Sequence, residues 1–241
     1  MKKIMCSFGT NEYKRSLDLL EKTTYEVGKI DKFYKYNREW LETTEFYKKN
    51  QYILDKKRGS GFFSWKTAII IETFNHLDEG DIVLYSDAAM EVIGDLTPLY
   101  NTASSIDGIM LFLVPGFHLN KMWTKKDCFS LMKCDSPIYH NARQSQGALS
   151  LWVKNEKTIE FLNEWAKIMR DPRVITDDPN FCGPNHPEFI DHRHDQSILS
   201  LLRIKHNIEV YRDPTQFGNS EIDQFDNSPY PQLFNHHRQK L

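Results

Sequence analysis

The stretch that most constrains this chain is Ile82-Val83-Leu84-Tyr85, preceded by Asp81 and followed by Ser86-Asp87. It is short, uncharged, β-branched and aromatic, which is how a strand buried on both faces reads. Such strands belong to sheets covered by helices on either side. In open α/β sheets of that kind, ligands lie beyond the carboxyl ends of the strands. Asp87 falls at such an end. Two readings of it are open: a ligand for a metal or a metal-bound group, or a cap on the turn that follows.

The flanking sequence repeats the pattern. Ile4 to Phe8 reads as a first strand and Gly9-Thr10-Asn11 as the turn after it, where nucleotides enter doubly wound folds. Ser16 to Glu26 suits an amphipathic helix, and Asp31 to Tyr36 a second strand. Thr43 to Lys57 carries aromatic and aliphatic residues at roughly helical spacing. Thr67 to Leu77 reads as a helix feeding the strand that ends at Asp87. Asp95 to Tyr100 opens a short helix, Gly108 to Val114 is a further strand, and Thr124 to Met132 a helix capped by Thr124. Arg143 to Gly147 reads as a polar loop before a strand over Ala148–Val153. Thr158 to Arg170 is helical, 171–187 irregular, and Ser197 to His206 a final amphipathic helix. Strands alternating with helices across short connections predict an α/β fold with a mostly parallel, Rossmann-like central sheet. No repeat or linker-like shift in composition divides the chain, so a single domain over 1–241 is expected.

Charge narrows the partners. Lys and Arg number 31 against 33 Asp and Glu, a net −2, and no basic block stands out. Nucleic acid is not an expected partner. No apolar stretch approaches the roughly 20 residues that span a bilayer. The N-terminal apolar run is too short for a secretory signal, and Cys6, Cys128, Cys134 and Cys182 make no CxxC pair. A reducing, cytoplasmic setting is expected, with attachment to a membrane surface left open.

Three polar concentrations are candidates for chemistry. Arg58 to Lys66 packs Gly59, Gly61, three aromatics and two cations into nine residues. Exposed amides beside Arg and Lys suit a sugar-phosphate; the alternative is a surface loop whose aromatics cover the core. His192-Arg193-His194-Asp195-Gln196 precedes a helix, so Asp195 is either an N-terminal cap or a carboxylate facing the reacting centre. The two histidines lack the spacing of a zinc-binding helix. The chain closes on Phe234-Asn235-His236-His237-Arg238. It is either a frayed tail or, anchored by Tyr230, Leu233 and Phe234, a segment folded back onto the domain.

Together, Arg58-Gly59-x-Gly61…Trp65-Lys66, Gly80-Asp81-Ile82…Tyr85-x-Asp87-Ala88, Gln146-Gly147-Ala148, Glu164-Trp165 before Asp177, His192-Arg193-x-Asp195-Gln196 and His236-His237-Arg238 span nearly the whole chain. In that order they resemble the GT-A type glycosyltransferases, as seen in small bacterial and giant-virus enzymes of glycan assembly. The resemblance implies transfer of a sugar from a nucleoside-diphosphate sugar to a hydroxyl of a glycan or other acceptor. It assigns Asp195 to catalysis, Gly9, Thr10, Arg58, Lys66, Asp87 and Arg238 to the donor, and Trp65, Gln146, His194 and Gln196 to the sugar or acceptor. It also implies a Mn²⁺ or Mg²⁺ ion on Asp87 and His237. Two positions depart from the pattern: the Asp-x-Asp motif reads Asp87-Ala88-Ala89, and Thr67 stands where proline is common. Alternatives are a non-catalytic sugar or nucleotide module on the same fold and, third, a sugar nucleotidyltransferase, whose longer Gly- and Arg-rich signature is missing after the first strand.

Overall fold

The computed structural model describes residues 1–106 and 108–241. Its centre is a six-stranded sheet in the order β2-β1-β3-β6-β5-β7. These strands are β1 (Lys3–Phe8), β2 (Lys32–Tyr36), β3 (Ile82–Ser86), β5 (Ile109–Leu113), β6 (Ser145–Val153) and β7 (Val210–Tyr211). β1 pairs in parallel with β2 and β3, and β5 with β7, while β6 runs antiparallel between β3 and β5. Five strands therefore point the same way and one opposes them. A second, two-stranded sheet joins β4 (Met90–Val92) to β8 (Phe234–His236).

The uncharged strands form because both faces of the sheet are covered. Alternate residues belong to different cores: Ile4, Cys6, Phe8, Val83, Tyr85 and Trp152 to one, Met5, Ile82, Leu84, Leu149 and Leu151 to the other. The first core is closed by α5 (Lys66–Phe74), α10 (Glu156–Ile168) and α12 (Asp195–Lys205), through Ile69, Ile70, Leu162, Trp165, Ile198 and Leu202. The second is closed by α1 (Lys14–Glu26) and α6 (Thr97–Ile106), through Leu17, Leu20, Leu99 and Ala103. Each buried aliphatic side chain contributes about 1.5–3 kcal/mol, so the sheet is a rigid platform for what lies at its strand ends.

Elsewhere the structure sharpens or corrects the sequence reading. Within 43–57 lies the helix α3 (Glu45–Leu54), and a further helix, α2 (Arg38–Thr43), precedes it; the side chains of Thr44 and Asn37 cap them. Thr124 does not cap the start of α8 (Lys126–Leu131), whose N-cap is Lys125; it is instead the C-cap of the preceding turn α7 (Asn120–Trp123). A further turn, α9 (Pro137–His140), leads into β6. The predicted polar loop 143–147 is half strand, since Ser145, Gln146 and Gly147 are buried in β6, with Ser145 paired to Leu113 of β5. Two of their backbone amides are met by α12, where Ser200 Oγ accepts from Ser145 N at 2.9 Å and Gln196 Oε1 from Gly147 N at 3.2 Å. The irregular stretch after residue 170 contains one turn, α11 (Pro172–Ile175), and α12 begins two residues earlier than expected, at Asp195. The C-terminal segment folds back, with Leu233 and Phe234 buried.

The oddest segment, Arg58 to Lys66, is neither loop nor ordinary helix. Gly59, Ser60, Gly61, Phe62 and Phe63 all have positive φ. They form α4 (Gly59–Phe62), a single left-handed turn closed by Phe62 N to Arg58 O at 2.7 Å and Phe63 N to Gly59 O at 3.0 Å. Left-handed turns cost L-residues roughly 1–2 kcal/mol each, which is why two of the five positions are glycine. A Cβ on Gly61 would lie 2.6 Å from the Leu54 backbone.

Candidate active site

The five co-directional strands end on one side, and a cavity of about 1530 Å³ opens there, lined among others by Phe8, Asp87, Gln146, Asp195 and His236. Its floor is a buried charge cluster. Lys66, first residue of α5, donates from Nζ to Asp195 Oδ2 at 2.6 Å and to the Gly147 carbonyl at 2.7 Å. Asp87 Oδ1 lies 3.7 Å from the same nitrogen and accepts the Tyr85 hydroxyl. The left-handed turn delivers Lys66, the end of β3 presents Asp87, β6 presents Gly147, and the start of α12 presents Asp195.

Electrostatics here are set by burial. Desolvation opposes the Lys66 charge, but Asp195 and Asp87 outweigh it and hold the ammonium above its ordinary value. Desolvation pushes the Asp195 carboxyl up to about 6, with Asp87 adding to the rise and Lys66 pulling against it. At neutral pH the pair is ionised, and Asp195 can take a proton a little below neutrality. A second acid behaves alike: burial pushes Asp213, on the cavity wall, up to about 6. It accepts from Gln146 Nε2 at 2.6 Å and Thr215 N at 2.7 Å.

Both histidines of the His-Arg-His-Asp segment serve to place Asp195. His192 accepts from Lys125 N at Nδ1, 3.3 Å, so its Nε2 carries the hydrogen donated to Val174 O, 2.8 Å. Desolvation holds it neutral, well below the usual histidine range. His194 has φ +50° and ties Nδ1 to the Ile175 carbonyl at 2.7 Å. The two rings clamp the start of α12 to α11. Gln196 uses both ends of its amide on β6 and the residue before it, donating to Gln144 Oε1 at 2.6 Å and accepting from Gly147 N at 3.2 Å.

The other expected site residues divide. Thr10, Trp65, Gln146, His194 and Arg238 line the cavity. Trp65 does so as a wall, only 5 % exposed and stacked on Phe8 with centroids 4.1 Å apart. Arg58 lines it too, but its guanidinium is paired with Asp177 at 3.0 Å and Asp191 at 2.7 Å. Gly9 is not in the lining; its amide bonds to Tyr36 O, and a Cβ there would meet Leu17 at 2.9 Å. His237 also lies outside the lining, with Glu91 as its charged neighbour, whereas His236 faces inward and feels the charge of Asp87. Asp213 and the Gly147 carbonyl carried no sequence signal, since β7 is too short to show a pattern and a carbonyl carries none.

Among the described residues, no three His, Cys, Asp or Glu side chains converge on a metal position. Mg²⁺ sites on nucleotide substrates use one or two carboxylates plus the substrate's phosphates. Asp87, with His236 nearby, fits a cation that arrives with a diphosphate; Ala89 contributes no ligand.

Six strands in this order, with one opposed and a polar cavity at their ends, form a fold also found among solved glycosyltransferases. The structure of mouse xyloside xylosyltransferase 1 in its apo form shares it: TM-score 0.50, 9% identity, 98% of this chain and 97% of that one covered. Two structures of the glycosyltransferase GlyE from Streptococcus pneumoniae TIGR4 also align, the apo form at TM-score 0.47 and 17% identity, the other at 0.45 and 16%. Each covers 98% of this chain, which spans about half of theirs, 54% and 55%. At these identities the likeness is one of fold. No protein-family model and no curated protein matches the sequence.

Proposed function

We propose that this protein transfers a glycosyl group from a nucleoside-diphosphate sugar to a hydroxyl of a glycan or another acceptor, in polysaccharide or glycoconjugate synthesis. The observation that carries the reading is the Asp87–Lys66–Asp195 cluster at the strand ends of this fold. As a glycosidic bond breaks, the sugar becomes oxocarbenium-like and negative charge grows on the diphosphate. Asp195, buried and ionised, is the carboxylate for the sugar or acceptor side. Lys66 keeps it ionised and, through the Gly147 carbonyl, holds it in place. Asp87 faces the ribose and phosphates. A divalent ion held by Asp87 and His236 would stabilise the charge developing on the leaving diphosphate. Thr10 and the Phe8–Trp65 wall flank the region expected for the base.

Release of free nucleoside diphosphate from a panel of sugar nucleotides, with Mn²⁺, with Mg²⁺ and with EDTA, tests the proposal. Turnover of at least one donor is expected. Tight binding of a donor with no release would instead favour a non-catalytic sugar-nucleotide module, the reading that Ala89 supports.

A further inference from the structure

The cavity runs along the strand ends from β1 to β5. Cys6, Tyr85, Ser150 and Leu111 lie abreast on β1, β3, β6 and β5. Neighbouring strands are about 4.8 Å apart, so the ends of β1 and β5 are separated by roughly 14 Å. On the transferase reading, on which this inference rests, the base lies at the β1 end. Beyond β5 the lining is made by Val114, Pro115, Gly116 and His118, with Gln144 and Arg193. That rim is tied down at several points. Val114 N donates to Gln144 O at 2.9 Å, and Gln144 N to His118 O at 2.8 Å. Buried Glu221 accepts from Gly116 N at 2.9 Å and from Arg143 Nη2 at 2.8 Å, and the same nitrogen of Arg143 donates to Val114 O at 2.8 Å. Phe117 stands between these anchors, 75 % exposed. A loop held this way gives up little freedom when it binds.

Arg193 is a fixed cation at this end. Its backbone N–H donates to the Trp123 carbonyl at 3.1 Å. Its guanidinium lies over the Trp123 ring, Cζ 4.0 Å from the centroid, and His118 stacks on the same indole with centroids 5.7 Å apart. Among the described residues that guanidinium makes no ion pair and no hydrogen bond. The neighbouring acids are engaged elsewhere: Arg58 holds Asp191 at 2.7 Å, and Lys66 holds Asp195 at 2.6 Å. A guanidinium laid on an indole keeps its N–H edge available, and its planar fork matches two oxygens of a carboxylate or phosphate. An arginine placed so, two residues before Asp195 and away from the base, suits an anionic group on the second substrate.

We propose that the acceptor is an acidic glycan, one bearing a carboxylate or a phosphate. Arg193, on its Trp123 platform, pairs with that group, and the rim 114–118 seats the sugar beside it. Arg193 thereby sets which acceptors are taken, while the Lys66–Asp195 cluster serves any hydroxyl.

The probes are immobilised oligosaccharides of three kinds, neutral, uronate-bearing and phosphate-bearing, offered to the full chain with nucleoside diphosphate present. Acidic glycans should be retained and neutral ones not, and retention should fall by roughly tenfold or more in Arg193→Met. Arg193→Lys, which keeps the charge but not the planar fork, should fall between wild type and Arg193→Met, and it stands in if the methionine variant does not fold. Carboxyl reduction or phosphate-ester cleavage of a retained glycan tells which acid is read. Nucleoside diphosphate affinity, measured by calorimetry, should change by less than about twofold in the same variants. Retention of neutral glycans as strongly as acidic ones, retention of none, or equal retention by a folded Arg193 variant overturns the proposal. So does a loss of nucleoside diphosphate affinity of about tenfold, which would set Arg193 against the donor instead. The two readings fail separately. Acidic glycans held through Arg193, with no nucleoside diphosphate released from any sugar nucleotide, would sink the transferase reading alone. Release stimulated as strongly by a neutral glycan as by an acidic one would sink the acidic acceptor alone.

Discussion

Asp195 and Lys66 are 129 positions apart in sequence and 2.6 Å apart in space, and that contact sets the chemistry at the residue scale. Burial raises the Asp195 carboxyl to about 6, so its proton returns just below neutral pH. Turnover should therefore fall on the acid side with an apparent pKa near 6, the value to which burial raises both Asp195 and Asp213. Asp195→Asn should lower turnover by about two orders of magnitude or more while leaving the circular dichroism spectrum unchanged. A variant that turns over like wild type would remove Asp195 from the reacting centre. The sign for stability is opposite to that of most acids. A carboxyl raised in the folded state binds its proton more tightly there than in the unfolded chain. Its contribution is complete below the unfolded value of roughly 3.9 and is lost as pH rises through about 6. Asp195 and Asp87 were both legible as acids beside predicted elements. Their meeting at one ammonium was not, because no local window contains it.

Among elements, the left-handed turn α4 and the strand β8 decide how the cavity is built. The glycines of α4 were conspicuous in the sequence, but their reason is conformational. Gly61 has φ +98° and closes on the Leu54 backbone. Gly61→Ala should lower stability by roughly 1–3 kcal/mol, measured by urea denaturation, and should also reduce turnover because Trp65 and Lys66 follow the turn. A stable Gly61→Ala protein would mean that the turn can relax without the glycine. Strand β8 carries His236 into the cavity by pairing Met90 with His236 and Val92 with Phe234. A three-residue strand shows no periodicity, so only its apolar anchors hinted at the fold-back. The buried, polar start of β6 was read as loop for a related reason: the Ser145 amide and Gln146 Nε2 donate to Ser200 and Asp213, partners remote in sequence.

For the molecule as a whole, the two cores on either side of the sheet keep the strand ends in register, and the C-terminal segment closes the second core. Phe234→Ala empties a fully buried site and should cost about 3–5 kcal/mol. Because the same segment bears His236 and Arg238, nucleoside diphosphate affinity should fall with it. Loss of stability with unchanged nucleotide affinity would detach the segment from the site. What the sequence determined alone was local: the charge-free runs of β1 and β3 follow from burial on both faces, and Asp87 follows from its place at a strand end. Tertiary structure decided the rest. It joined Lys66, Asp87, Gly147 and Asp195, and chose His236 over His237 for the cavity. Those outcomes depend on which side chains meet after the helices pack, and packing is a property of the whole chain.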